Sequence, residues 1–151
     1  MLALKNWELI MLFNEKQIYG ITTELIVAQK LIEKGFIVSI PYGNNSRYDM
    51  IVDTDNDCYR IQVKHASLND NGSYTINTSN TVSTTTKNSR KYYNKQDIDF
   101  IITVIENQLV VIPVEMIEHS ASKIFRTVLP EHGTKSNCNL IEDYTVERYI
   151  L

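Results

Sequence analysis

The chain lacks several features that would each narrow its function. It has two cysteines, Cys58 and Cys138, far apart and in no CxxC spacing, so no cysteine zinc site is legible and a reducing compartment is expected. Its three histidines, His65, His119 and His132, are scattered, which gives zinc held by imidazole little support. Long apolar runs are missing too. Stretches such as Leu9 to Phe13 are far shorter than a bilayer span, and the N-terminus has neither the basic start nor the small-residue cleavage site of a signal peptide. There is no excess of positive charge: 15 Lys and Arg stand against 18 Asp and Glu, a net −3. That total does not exclude a nucleic-acid partner, because binding depends on where cations cluster. No internal repeat and no obvious linker interrupts the 151 residues. The expectation is one domain over 1–151, soluble and cytoplasmic, with no membrane partner. Its size suffices to bury a core without staples.

What is present reads as an alternation of helix and strand signals. Trp7, Ile10 and Met11 sit at helical spacing in "LALKNWELIMLF", predicting a short N-terminal helix. In "NEKQIYGITTELIVAQKLIEKGF" the apolar positions Leu25, Ala28 and Ile32 recur at i, i+3 and i+7 with Leu31 beside them, and Gly35 follows where a left-handed residue ends a helix. "FIVSIPYG" reads as a strand closed by Pro41. "RYDMIVDT" and "CYRIQVKHA" read as two strands across a tight acidic turn. The Ser/Thr/Asn-rich segment from Ser67 to Ser89 predicts one strand near Tyr74 to Asn77 and a mobile loop, and "SRKYYNKQ" a short helix. "IDFIITVIENQLVVIPVEM" predicts a hairpin buried on both faces. The tail from Ile117 mixes signals and gives no assignment. The order suggests one α/β domain around a mixed sheet.

The acidic turn decides which polar residues meet. With Asp55 and Asn56 as its two central residues, Asp49 stands opposite Gln62; with Asn56 and Asp57, it stands opposite Lys64. Either way Asp49, Gln62 and Lys64 share one face, because facing residues lie on the same side and side chains alternate. The other face then collects Tyr48, Met50, Val52, Tyr59, Ile61 and Val63, a set fit for a core, and His65 falls opposite Lys64.

A carboxylate, an amide and an ammonium on one face suit phosphodiester hydrolysis. That reaction needs a hard cation held by oxygens and a positive group near the attacking water and the charged transition state. Asp49 supplies a carboxylate, Lys64 the ammonium and Val63 a backbone carbonyl, while Glu24, on a helix expected to pack on the sheet, brings a second carboxylate.

The order Glu24, Asp49, then Gln62-Val63-Lys64 resembles the PD-(D/E)XK nuclease superfamily and, more narrowly, its group I intron-associated homing endonucleases. Further segments extend the resemblance: "GITTELIVAQKLIEKGF", "IPYGNNSRYDMIV", "YYNKQDIDF", "VVIPVEM" and, more faintly, "FRTVLP" and "EDY". Two departures stand out. Tyr48 replaces the proline of the superfamily name, and Gln62 occupies the usual acidic slot, keeping a carbonyl oxygen but removing a negative charge.

The resemblance implies a restriction-endonuclease-like core, a mixed central sheet flanked by helices, with a short N-terminal helix and a C-terminal extension. It implies Mg²⁺, with Mn²⁺ as a substitute, held by Asp49, Glu24 and the Val63 carbonyl. It implies a double-stranded DNA substrate cut at a specific site, and a homo-oligomer, dimer or tetramer, with Trp7 in one candidate contact. A Holliday-junction resolvase and a non-cleaving DNA-binding module with the same fold are the alternatives. Arg47 and the cluster of Lys87, Arg90, Lys91, Tyr92, Tyr93 and Lys95 are the candidate DNA contacts.

Overall fold

The computed structural model describes residues 14–43, 45–83, 88–130 and 138–151. The expected N-terminal helix with Trp7 therefore lies outside the described residues. Helix α1 runs over Glu15–Glu33. Asn14 caps it, its side chain accepting from the Gln17 N–H at 3.0 Å while Gln17 accepts from the Asn14 N–H at 2.9 Å, a reciprocal capping box. It ends where the sequence places Gly35. That residue has φ 92°, its N–H bonds Ile32 and the Phe36 N–H reaches back to Leu31, closing the last carbonyls.

The strands are β1 (Ile37–Ser39), β2 (Met50–Asp53), β3 (Cys58–Val63), β4 (Ala66–Leu68), β5 (Tyr74–Asn77), β6 (Ser79–Ser83), β7 (Asn88–Tyr92), β8 (Phe100–Ile105), β9 (Gln108–Pro113), β10 (Ser122–Arg126) and β11 (Asn139–Leu140). A short helix α2 covers Val146–Tyr149. The central sheet has the order β1-β2-β3-β8-β9 and is mixed: β3 and β8 run parallel, the other neighbours antiparallel. A second sheet has the order β11-β10-β5-β4, and β6 with β7 forms a separate two-stranded ribbon.

The central sheet lies between two cores, and β8 and β9 feed both. Met50, Val52, Ile61, Val63, Ile102 and Val111 join Val27 and Leu31 of α1 and Val146 and Ile150 near the C-terminus. Ile101, Ile105, Val110 and Ile112, the intervening positions of β8 and β9, join Ile76 of β5, Phe125 of β10 and Tyr144. The expected hairpin buried on both faces is β8 and β9, turned by Glu106 and Asn107, both at positive φ as a two-residue hairpin turn requires.

Three expectations are corrected here. The buried row of α1 is Thr23, Val27 and Leu31, whereas Leu25 and Ile32 are 62% and 58% exposed. Apolar residues occupy two adjoining rows of this helix, and periodicity alone does not say which row meets the sheet. The segment around "SRKYY" is strand β7, not a helix. It pairs antiparallel with β6, so part of the polar stretch read as a loop is also strand. Tyr48 lies before β2 begins and packs on the second core, away from Met50.

The packing of α1 sets an expected outcome. Leu31 is fully buried, so Leu31→Ala should lower the unfolding free energy by about 2–5 kcal/mol, measured by urea titration.

Candidate active site

The β2–β3 turn takes the first of the two registers. Asp53 pairs with Cys58 and Met50 with Ile61, so Asp55 and Asn56 form the two-residue loop, with Asp55 in the left-handed region at φ 67°. Asp53 and Thr54 brace the turn, accepting from the N–H groups of Asp55 and Asp57. Asp49 then falls beside Gln62, and its own N–H bonds the Ile61 carbonyl at 2.8 Å.

Asp49 is held firmly. One carboxylate oxygen, Oδ2, accepts from the Val63 N–H at 2.7 Å and from the Gln62 side-chain amide. The same amide makes a longer contact, 3.4 Å, to the Val63 carbonyl. Gln62 thus presents its NH₂ end to the site and anchors the carboxylate as a donor. An acidic residue here would repel Asp49 unless a cation lay between them.

Glu24 reaches the same place from α1. It and Asp49 line one open cavity of about 330 Å³, whose other walls include Pro41, Gly43, Ser46 and Tyr48. Burial first, and the Asp49 charge second, hold the Glu24 carboxyl above its ordinary range. Burial likewise raises Asp49, against the lowering influence of the Val63 N–H, Lys64 and Gln62. Two half-desolvated carboxylates facing one cleft form an electrostatic deficit that a divalent cation relieves.

The donor set fits such an ion: two carboxylates and a neighbouring backbone carbonyl, all hard oxygen. Among the described residues no group of three or more His, Cys, Asp or Glu side chains converges, which limits the protein's charged ligands here to this pair. Asp49, Glu24 and the Val63 carbonyl would hold the ion, which would polarise a phosphate and acidify a water.

Lys64 follows β3 on the same face as Gln62. Its Nζ donates to Asn80 Oδ1 of β6 at 2.8 Å and lies 5.3 Å from the centre of the Tyr93 ring. Burial pulls its ammonium below the ordinary lysine range, with Asp49 opposing. A cationic amine one strand position past the ligand carbonyl is suited to steering water and to meeting charge as it develops on phosphate oxygens.

The candidate DNA contacts separate into groups. Arg47 pairs with Asp97, a carboxylate only 3% exposed. Lys91 and Tyr92 are exposed and, with Arg47, Asn80, Tyr93 and Asp97, line a second cavity of about 210 Å³. Tyr93 is 4% exposed, so its ring supports Lys64 instead of lying on the surface. Lys95 pairs with Glu115 at 2.6 Å. Arg90 stands on β7 opposite Thr81, and Lys87 lies outside the described residues. His65 is exposed on the α1 side, its ring 5.7 Å from that of Tyr19.

Two residues near the site were missed by sequence reasoning. Asn80 sits in a run of Ser, Thr and Asn where nothing singles it out. Asp97 had a signal in "DID", alternate acids at the mouth of an apolar strand. Its neighbour Asp99 accepts from the Arg60 guanidinium and backbone N–H, tying this segment to β3.

A mixed five-stranded sheet with a carboxylate-bearing helix on one side and Asp49, Gln62 and Lys64 together at one end of β2 and β3 is an α/β, restriction-endonuclease-like arrangement. Over residues 13–147 the chain matches the family model of the PD-(D/E)XK endonucleases, and it belongs to that family of nucleases. Members of this family generally use divalent metal ions. Among solved structures it is similar to a bacterial homing endonuclease, I-Ssp6803I, with a TM-score of 0.75 and 17% identity over 91% of this chain and 93% of that one. At that identity the likeness concerns the fold. No curated protein sequence matches the chain.

The raised carboxyls fix the sign of a pH effect. Asp49 and Glu24 ionise above their ordinary values of 3.8 and 4.5, so the folded chain binds more protons than the unfolded one across that window. Stability contributed by the neutral carboxyls is complete below those ordinary values and is lost as pH rises through the raised ones. Metal-free Glu24→Gln protein should therefore melt higher than wild type at about pH 7 and no higher at about pH 3, read by thermal unfolding in chelator.

Proposed function

We propose that the chain is a magnesium-dependent endonuclease of the intron-homing type, hydrolysing phosphodiester bonds at a specific double-stranded DNA site. The observation that carries this reading is the shared cleft of Asp49 and Glu24, two carboxylates destabilised by burial, with the Gln62 amide joining Asp49 to the Val63 carbonyl and Lys64 next in sequence. In this reading Asp49, Glu24 and the Val63 carbonyl hold Mg²⁺, for which Mn²⁺ substitutes. The ion supplies Lewis-acid polarisation of the phosphate and a more acidic water.

The other residues take separate parts. Gln62 keeps the Asp49 carboxylate oriented through its amide. Lys64 orients the attacking water and stabilises the negative charge of the pentavalent transition state. Lys91 and Tyr92 on the ribbon, with Arg47 and the other basic residues of that segment, meet the DNA backbone. With only two acidic ligands, we expect one firmly held ion per site. One such site cuts one strand, so a double-strand cut calls for a dimer or tetramer acting on a near-palindromic target.

The direct test incubates the protein with supercoiled plasmid and with random-sequence duplex DNA, with Mg²⁺ or with chelator. Nicking or cutting that chelator abolishes, and that Asp49→Ala or Lys64→Ala lowers by roughly 10²-fold or more, supports the reading. No cleavage across these substrates, or cleavage indifferent to both substitutions, sinks it. Preference for a four-way junction over linear duplex would assign the same chemistry to a resolvase.

A further inference from the structure

Lys64 is held by groups that belong to neither β3 nor the metal-ligand set. Its Nζ donates to Asn80 Oδ1 at 2.8 Å, and Asn80 is the second residue of β6. Its ammonium also lies 5.3 Å from the centre of the Tyr93 ring, just beyond the end of β7. In the ribbon register Asn80 faces Lys91, and Ser79 faces Tyr92. Asn80 is therefore part of the two-stranded ribbon, which is separate from both sheets, and Tyr93 is the residue that follows its second strand into the second core.

The Tyr93 side chain is nearly fully buried, and the Asn80 side chain acts on its hydroxyl as well as on the lysine. Burial, and then the charge of Asp49, hold that phenol well above the usual range, so it remains neutral and its ring face keeps its attraction for a cation. Asn80 is exposed and uses its carbonyl end on the lysine. Nothing in the folding of the cores calls for an exposed asparagine reaching to a lysine on another element. The contact places the amine, not the backbone.

We propose that Asn80 and Tyr93 are positioning residues for Lys64, so that the β6–β7 ribbon carries the reacting end of the lysine and a duplex engaging the ribbon acts directly on the amine. The proposal rests on the nuclease reading, in which Lys64 works at the phosphate. The ribbon presents Lys91 and Tyr92 outward from the strand that pairs with Asn80. A backbone contact at Lys91 and the amine at Lys64 are thus joined through one cross-strand pair and one side-chain hydrogen bond. The device links occupancy of the DNA surface to placement of a catalytic group without any domain movement.

Two measurements test it, the first independent of cleavage. In ¹³C–¹H spectra of lysine-labelled protein, with Lys64 assigned through Lys64→Arg, the Lys64 ε-methylene should be shifted upfield by the Tyr93 ring. That shift should collapse towards the free-lysine position in Asn80→Ala and in Tyr93→Leu, and be retained in Asn80→Asp, which keeps the acceptor oxygen. A free-lysine position in the wild type, or a Lys64 signal unmoved in Asn80→Ala, overturns the proposal whether or not the protein cuts DNA.

The second measurement is single-turnover nicking of plasmid in Mg²⁺ beside duplex affinity by fluorescence anisotropy. Asn80→Ala should slow the rate about tenfold, with affinity kept within about twofold and the rate recovered in Asn80→Asp. An unchanged rate, or a loss wholly in affinity, assigns Asn80 to DNA contact and refutes positioning. If the wild type nicks nothing, the nuclease reading fails, while the spectra still decide whether the ribbon holds the amine.

Discussion

A β-strand places successive side chains on opposite faces, and this protein rests on that alternation in β3. Ile61 and Val63 turn towards α1 and close the first core. Gln62 and Lys64, one step out of phase, turn to the other side, where Gln62 meets Asp49. A slip of one residue would put the lysine into the apolar core and a valine beside the carboxylate. Register is therefore enforced by burial along the whole strand, and the two-residue turn at Asp55 and Asn56 fixes the same alignment locally. The cleft inherits its geometry from the core.

The cleft is also where the fold is least comfortable. Two other acids near the site have cationic partners: Asp97 with Arg47, and Asp99 with Arg60. Asp49 and Glu24 are instead both raised by burial, Glu24 further by the Asp49 charge, and Lys64 is drawn below its normal range by burial. Such a concentration of perturbed titratable groups is a common mark of a functional site. Gln62 reduces the strain by one negative charge and replaces a repulsion with a hydrogen bond. The pair it holds is better fixed than two acids in those positions would be, with fewer charges to offer an ion.

Much of this could be read from the sequence because two strong patterns agreed. The alternation in "RYDMIVDT" and "CYRIQVKHA" and the even-length turn put Asp49, Gln62 and Lys64 on one face without reference to distant parts of the chain, and the structure selects Gln62 as the residue beside Asp49. Gly35 marks the end of α1 because only a residue tolerant of positive φ fits there. The hairpin of β8 and β9 is equally plain, being apolar on both faces. The orientation of α1 was not legible: Leu25 and Ile32 compete with Val27 and Leu31, and only the shape of the sheet selects between them. The ribbon was obscured for a different reason. Its strands are short and polar with no apolar alternation, so "SRKYY" carried no period that separates strand from helix. Tyr93 looked like a surface aromatic because its burial depends on β5, β8 and β9 closing over it. Asn80, one polar residue in a polar run, carried no local mark at all.

The separation of the two faces of β3 has a consequence for how such a chain changes over generations. Odd-numbered positions are tied to packing, and a substitution there endangers folding. Of the intervening positions, Arg60 ties the strand to Asp99, while Gln62 and Lys64 answer to the chemistry of the cleft. Glutamine at position 62, where the family pattern has an acid, lowers the negative charge of the cleft from a position outside the packed face of β3. Inheritance of the shape and inheritance of the activity thus travel on alternate residues of one strand.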